Sequence, residues 1–129
     1  NGINGVTERR DGFFEKDEWG GINQAFYLKD NYVGAIGHQS YTSYSNGKEM
    51  AVYINMAYIV DIQNLKVVAK KVIGTREDYP PAPSKTFGLS KCAFTSGIRL
   101  LNSKEVELYS GLGDAYEGKV IIENPFLNF

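Results

Sequence analysis

Three prolines within four residues, Pro80, Pro81 and Pro83, divide this chain. Proline has no backbone N–H and a fixed φ, so no central strand passes through Gly74–Lys85 (GTREDYPPAPSK). That stretch must cross between two groups of elements. Before it lie four strand-like runs, Gln24–Lys29, Tyr32–Gln39, Glu49–Val60 and Leu65–Ile73. They are rich in β-branched and aromatic residues, and polar turns at Asp30-Asn31 and Asp61–Asn64 separate them. Ser40–Lys48 reads as a loop ending in an Asn46-Gly47 turn. Beyond the break the pattern restarts with Ser90–Ile98, Lys104–Ser110 and Asp114–Glu123, and Asn124-Pro125 closes it. No segment keeps a helical period for more than about two turns. The expected class is all-β, with antiparallel sheets.

At 129 residues the chain holds one modest domain with a real core. A formal net charge of −1 argues against a nucleic-acid footprint or a polybasic membrane surface. No apolar run approaches the roughly 20 residues of a membrane span. One histidine and one cysteine, His38 and Cys92, form no metal-ligand cluster, and Cys92 has no partner for an internal disulfide, which fits the cytoplasm. Neither Gly-x-Ser-x-Gly nor a dinucleotide fingerprint is present, so no metal and no cofactor is expected. The chain opens NGINGVTERRDGFF without an initiator methionine, which reads as part of a longer protein. The charges at Glu8–Asp11 read as a solvated loop.

The two halves form a weak internal repeat. Ala25-Phe26 is laid over Ala93-Phe94, and Gly37-His38 over Gly111-Leu112. Four-strand units at that spacing suggest β-propeller blades, with a two-sheet sandwich as the alternative. In a propeller the inner strand ends converge on one axial pocket, gathering Gly20–Gln24, Gly37–Gln39, Arg76–Tyr79, Lys91 and Gly113-Asp114. Cations and imidazole suit an oxyanion, while Asp, Asn and Gln suit sugar hydroxyls. Each also has a plain reading. A lone His38 is often only hydrogen-bonded, Asp114 after Gly-Leu-Gly can cap a turn, and Arg76 can pair with Glu77 or Asp78.

WGGINQAFYLKDNYVGAIGHQSY (from Trp19), MAYIVDIQNLKVVAKKVIGTREDYPPAPSK (from Met56) and KCAFTSGIRLLNSKEVELYSGLGDA (from Lys91) together resemble the late blades of a five-bladed propeller family. It is the mannosyltransferase/phosphorylase family, glycosyltransferase family 108, formerly domain of unknown function 1861. More distantly the chain is similar to the mannoside phosphorylases of glycoside hydrolase family 130. The resemblance covers roughly residues 18 to 126. It implies a partial propeller of about two blades, residues 1–74 forming one blade with a preceding edge and 75–129 the last. It also implies mannosyl transfer between phosphate or a nucleotide sugar and a β-mannoside.

In site terms the resemblance implies His38 and Arg76 at phosphate, Asp114 on a sugar hydroxyl, and Asn23 and Gln24 on substrate. The imidazole and neighbouring cations are then expected to offset phosphate charge. The family's tyrosine before the histidine is Gly37 here, and its basic residue near the glycines has no match at Trp19–Asn23. Its catalytic Asp belongs to an earlier blade, so this chain alone is expected to be inactive, with the rest of the propeller as its partner. A propeller hydrolase and a non-catalytic carbohydrate-binding domain are the alternatives.

Overall fold

The structure, a computed structural model, describes residues 12–129, so the Glu8–Asp11 charges lie outside the described residues. Seven strands form two antiparallel sheets. The first contains β1 (Glu18–Lys29), β2 (Tyr32–Ser45), β3 (Lys48–Asp61) and β4 (Lys66–Gly74), in the order β1-β2-β3-β4. The second contains β5 (Ala93–Leu100), β6 (Glu105–Leu112) and β7 (Tyr116–Glu123), in the order β5-β6-β7. The only helices among the described residues are single 3-10 turns, Arg76–Asp78 and Phe87–Leu89, both in the crossing segment. Sequential hairpins stacked in this way are an all-β partial propeller.

Two strands run further than their composition predicts. Ser40–Lys48 is not a loop: β2 and β3 continue as a paired ribbon to Ser45↔Lys48. The two turn residues, Asn46 and Gly47, have φ 51° and 76°. Positive φ at both positions matches the right-handed twist of the flanking strands, so the turn extends the hairpin. At the other end β1 begins at Glu18 and absorbs the paired glycines. The ladder also realigns the repeat. Gly37 pairs with Ile22 and Gly111 with Phe94, so Phe94 corresponds to Ile22 rather than Phe26. Just past each position a residue bulges out, Asn23 in β1 and Ser96 in β5.

Strand alternation sorts the side chains into layers between the two sheets. The innermost layer is apolar: Ile36 and Ala57 from the first sheet pack with Ala93, Ile98, Val106, Leu108 and Leu112 of the second. Next comes a buried polar layer of Asn55, Thr95, Ser110 and Tyr79. Above it lies an aromatic layer of His38, Tyr53 and Phe94. On the opposite face of the first sheet, Ala35, Met56 and Tyr58 form a separate cluster with Phe13 and Val67.

The second sheet is also held by charge. Glu107, at the middle of β6 and 4% exposed, pairs with Arg99 of β5 and with Lys119 of β7, the latter at 2.9 Å. Hydrogen bonds from Lys119 and then Arg99 hold its carboxyl at about 2, against an ordinary 4.5. A carboxyl depressed on folding stabilises the fold fully above its unfolded value and ceases to do so as pH falls through the folded one. Acid unfolding between pH 4.5 and 2 is therefore expected to be less pH-dependent in Glu107→Gln. Fluorescence-monitored acid titration checks this, and an unchanged acid limb contradicts it.

Candidate functional site

The site builds outward from the polar layer. Thr95 donates its hydroxyl to the Gly37 carbonyl at 2.7 Å, tying β5 to β2 one residue before His38. His38 then lies over Phe94, ring centroids 4.3 Å apart, with Tyr53 at 6.2 Å. The bulge turns Asn23 back toward the ring, and the His38 Nδ1–H donates to Asn23 Oδ1 at 2.9 Å. Burial pushes the imidazole below its ordinary 6.5. The free ring therefore favours its neutral form at pH 7.

Phe94 and Tyr53 also line a cleft of about 370 Å³, with Leu89, Cys92, Ser96, Gly111 and Asp114. Asp114 occupies the β6–β7 turn at φ 57°, where a short polar side chain is tolerated. Its carboxylate takes a contact from Lys85 at 3.4 Å, and both side chains are exposed. Turn cap and cleft residue are therefore compatible roles for Asp114. Phe94, the ring packed against His38, thus also lines the cleft that holds Asp114, 76 residues further along the chain. Burial pushes the Cys92 thiol up, so it stays protonated at neutral pH and is a poor nucleophile.

Two of the other expected residues go elsewhere. Gln24 spends both amide atoms on β5: its Nε2 donates to the Ile98 carbonyl at 3.3 Å, and its Oε1 accepts from the Ile98 N–H at 2.7 Å. It is an inter-sheet clamp. Arg76 pairs with neither Glu77 nor Asp78. Its guanidinium donates to the carbonyls of Pro80 and Ala82 at 3.1 and 3.3 Å, bracing the proline-rich crossing. It lines a different cleft, of about 520 Å³, with Lys91, Glu77 and Tyr44. Lys91 is held by Glu77 at 2.7 Å. A parallel bridge between Tyr53 and Cys92 joins the two sheets close to both clefts.

Sequence reading missed Phe94, Tyr53 and the polar layer as site components. Phe94 carried a signal as a repeat position, but the repeat was laid in the wrong register. Nothing local marks Tyr53, whose aromatic contacts come from β1, β2 and β5. Among the described residues no group of three or more metal-ligating side chains is present, and no helix is long and apolar enough to cross a membrane.

The comparisons fit this architecture. Residues 6–128 match a protein family described as protein of unknown function (DUF1861). No curated protein sequence matches the chain. Among solved structures, MPT-4, a mannose phosphorylase from Leishmania mexicana in complex with phosphate ion, superposes with a TM-score of 0.85 at 38% identity. The match covers 90% of this chain and 37% of MPT-4. MPT-1, a GDP-Man-dependent mannosyltransferase from the same organism, gives 0.80 at 34% identity, over 87% of this chain and 36% of that one. A hypothetical protein from Leishmania major gives 0.77 at 42% identity, with the same two coverages. The chain thus spans little more than a third of the length of these relatives. With nearly its whole length matched, it belongs to the DUF1861 family.

Proposed function

We propose that the chain is the C-terminal part of a β-mannoside phosphorylase or mannosyltransferase propeller, one sheet and its preceding edge forming one blade and the second sheet the last. The observation that carries this reading is that Phe94 both packs against His38 and lines the Asp114 cleft, in a chain similar to a phosphate-bound mannose phosphorylase. In the proposed reaction an aspartic acid supplied upstream protonates the glycosidic oxygen as the sugar–oxygen bond breaks. A phosphate oxygen forms the new bond at the anomeric carbon, with inversion. Asp114 accepts from a sugar hydroxyl, the free amide hydrogens of Asn23 reach substrate, and His38 contacts phosphate. Arg76 braces the proline loop through the Pro80 and Ala82 carbonyls and lines the neighbouring cleft. The lone, buried Cys92 fits a cytoplasmic protein.

The test uses the complete open reading frame, including whatever is encoded upstream of Asn1. Incubation with inorganic phosphate and β-mannooligosaccharides is expected to release mannose 1-phosphate, whereas residues 1–129 alone release none. In the complete protein, His38→Ala is expected to raise KM for phosphate at least tenfold, on the order of one lost hydrogen bond to a charged group. Release of free mannose without phosphate consumption means a hydrolase and overturns the proposal. A non-catalytic sugar-binding role is the second reading, favoured by the exposed Trp19, Tyr41 and Tyr44 along one groove. It calls for mannoside binding with no turnover.

A further inference from the structure

His38 is held in a way that decides what it can bind. Its Nδ1 faces an amide oxygen, Asn23 Oδ1, at 2.9 Å. An amide oxygen has no proton to give, so the imidazole proton must sit on Nδ1. A neutral imidazole carries only one, which leaves a lone pair on Nε2. Among the described residues no carboxylate forms an ion pair with the ring, whose neighbours Phe94 and Tyr53 are aromatic. The Cε1–Nε2 edge faces Gly21, which carries no side chain. A Cβ there would sit 3.4 Å from His38 Cε1 and 3.9 Å from Nε2.

We propose that Asn23 makes His38 a hydrogen-bond acceptor, so that this position selects a ligand group bearing a hydroxyl proton over a fully ionised oxyanion. Asn23 is then a positioning residue acting through His38. The inference deepens the phosphorylase reading and rests on it for the identity of the ligand. At neutral pH inorganic phosphate always carries a P–OH, as a sugar carries C–OH, whereas sulfate carries none. Sulfate would bring only lone pairs to the Nε2 lone pair, an unpaired contact of the kind that strongly disfavours a ligand.

The chain contains one histidine, so its imidazole nitrogens give one pair of NMR resonances. In histidine-labelled chain at pH 7.5 the nitrogen shifts are expected to be those of the Nδ1–H form. Asn23→Ala is expected to release the ring toward Nε2–H, and Asn23→Asp to add a second proton. Asn23 is exposed, so neither change disturbs the core. Inorganic phosphate, sodium sulfate and mannose are then titrated at matched ionic strength. Phosphate is expected to move the Nε2 resonance at concentrations at least tenfold lower than sulfate, and Asn23→Asp to reverse that order.

An Nε2–H ring in the unmodified chain overturns the proposal, as does equal response to phosphate and sulfate. Movement by mannose alone keeps the selection rule but assigns the hydroxyl to sugar, overturning phosphate contact at His38. Silence to all three probes with an Nδ1–H ring overturns the ligand half. Mannose 1-phosphate release by the complete protein is scored separately, so the parent reading stands or falls on its own.

Discussion

Asn55→Leu is expected to cost about 3–5 kcal/mol of folding stability, because leucine leaves several buried polar groups without partners at roughly 1–3 kcal/mol each. Asn55 is fully buried in the polar layer between the sheets. Its Nδ2 lies 2.9 Å from Ser110 Oγ, 2.8 Å from Thr95 Oγ1 and 3.2 Å from the Ala93 carbonyl. Its Oδ1 accepts from Tyr79 O–H at 2.8 Å, and the Tyr79 and Ser110 oxygens are 2.7 Å apart. The two amide hydrogens serve Thr95 and Ser110, with the longer Ala93 contact sharing one of them, and the Tyr79–Ser110 contact then has one proton arrangement. Asn55 donates to Ser110, Ser110 to Tyr79, and Tyr79 back to Asn55, closing a ring whose members polarise one another. Burial is the main reason the Tyr79 phenol is pushed up to about 12, so it remains a donor throughout the ordinary pH range. Urea unfolding measures the loss. A cost below about 1 kcal/mol means that water replaces the amide freely and the ring does not hold the sheets. Asn55→Asp is expected to be at least as damaging, since a carboxylate cannot donate to Ser110 or Thr95.

Gly37→Ala is expected to cost roughly 2–3 kcal/mol and to displace His38. A Cβ on Gly37 would overlap the Gly21 carbonyl oxygen in the paired strand. Backbone cannot rotate away as a side chain can, so β1 must part from β2 at Ile22↔Gly37, directly beside the Asn23 bulge. The internal control is Gly111, at the same place in the repeat. A Cβ there meets only the Phe94 carbonyl oxygen at 3.9 Å, an ordinary contact. Gly111→Ala is thus expected to be tolerated within about 0.5 kcal/mol. Unfolding curves and the His38 imidazole resonance check both variants. Equal effects at the two glycines would falsify the close-approach argument.

That pair of glycines illustrates how far the residues by themselves reach. Both follow an apolar strand and look interchangeable in the chain. Their difference lies in the partner strand, which carries a bulge one residue past Ile22 but two residues past Phe94. Spacing along one strand cannot reveal where its neighbour bulges. The same cause shifted the repeat register in β1. Ser40–Lys48 was misread for a local reason: its Ser, Thr and Asn content resembles loop composition, yet the Asn46-Gly47 turn was already the strongest hairpin signal in the stretch.

The amino-acid sequence by itself determined the all-β class, the break at Pro80–Pro83 and the isolation of the single histidine and cysteine. These depend on properties each residue carries with it: β propensity, a missing N–H, the number of thiols and imidazoles. It also drew His38 and Asp114 into view as strand-end residues. Only the tertiary structure decided which residues surround them. Gln24 turned to β5, Arg76 closed on its own loop, and Phe94 and Tyr53 became the floor. The protonation of His38 was decided there too. It depends on an amide oxygen 15 residues earlier and on burial between two sheets. A hydrogen bond across a bulge is a distance and an angle, and neither is encoded in spacing along the chain.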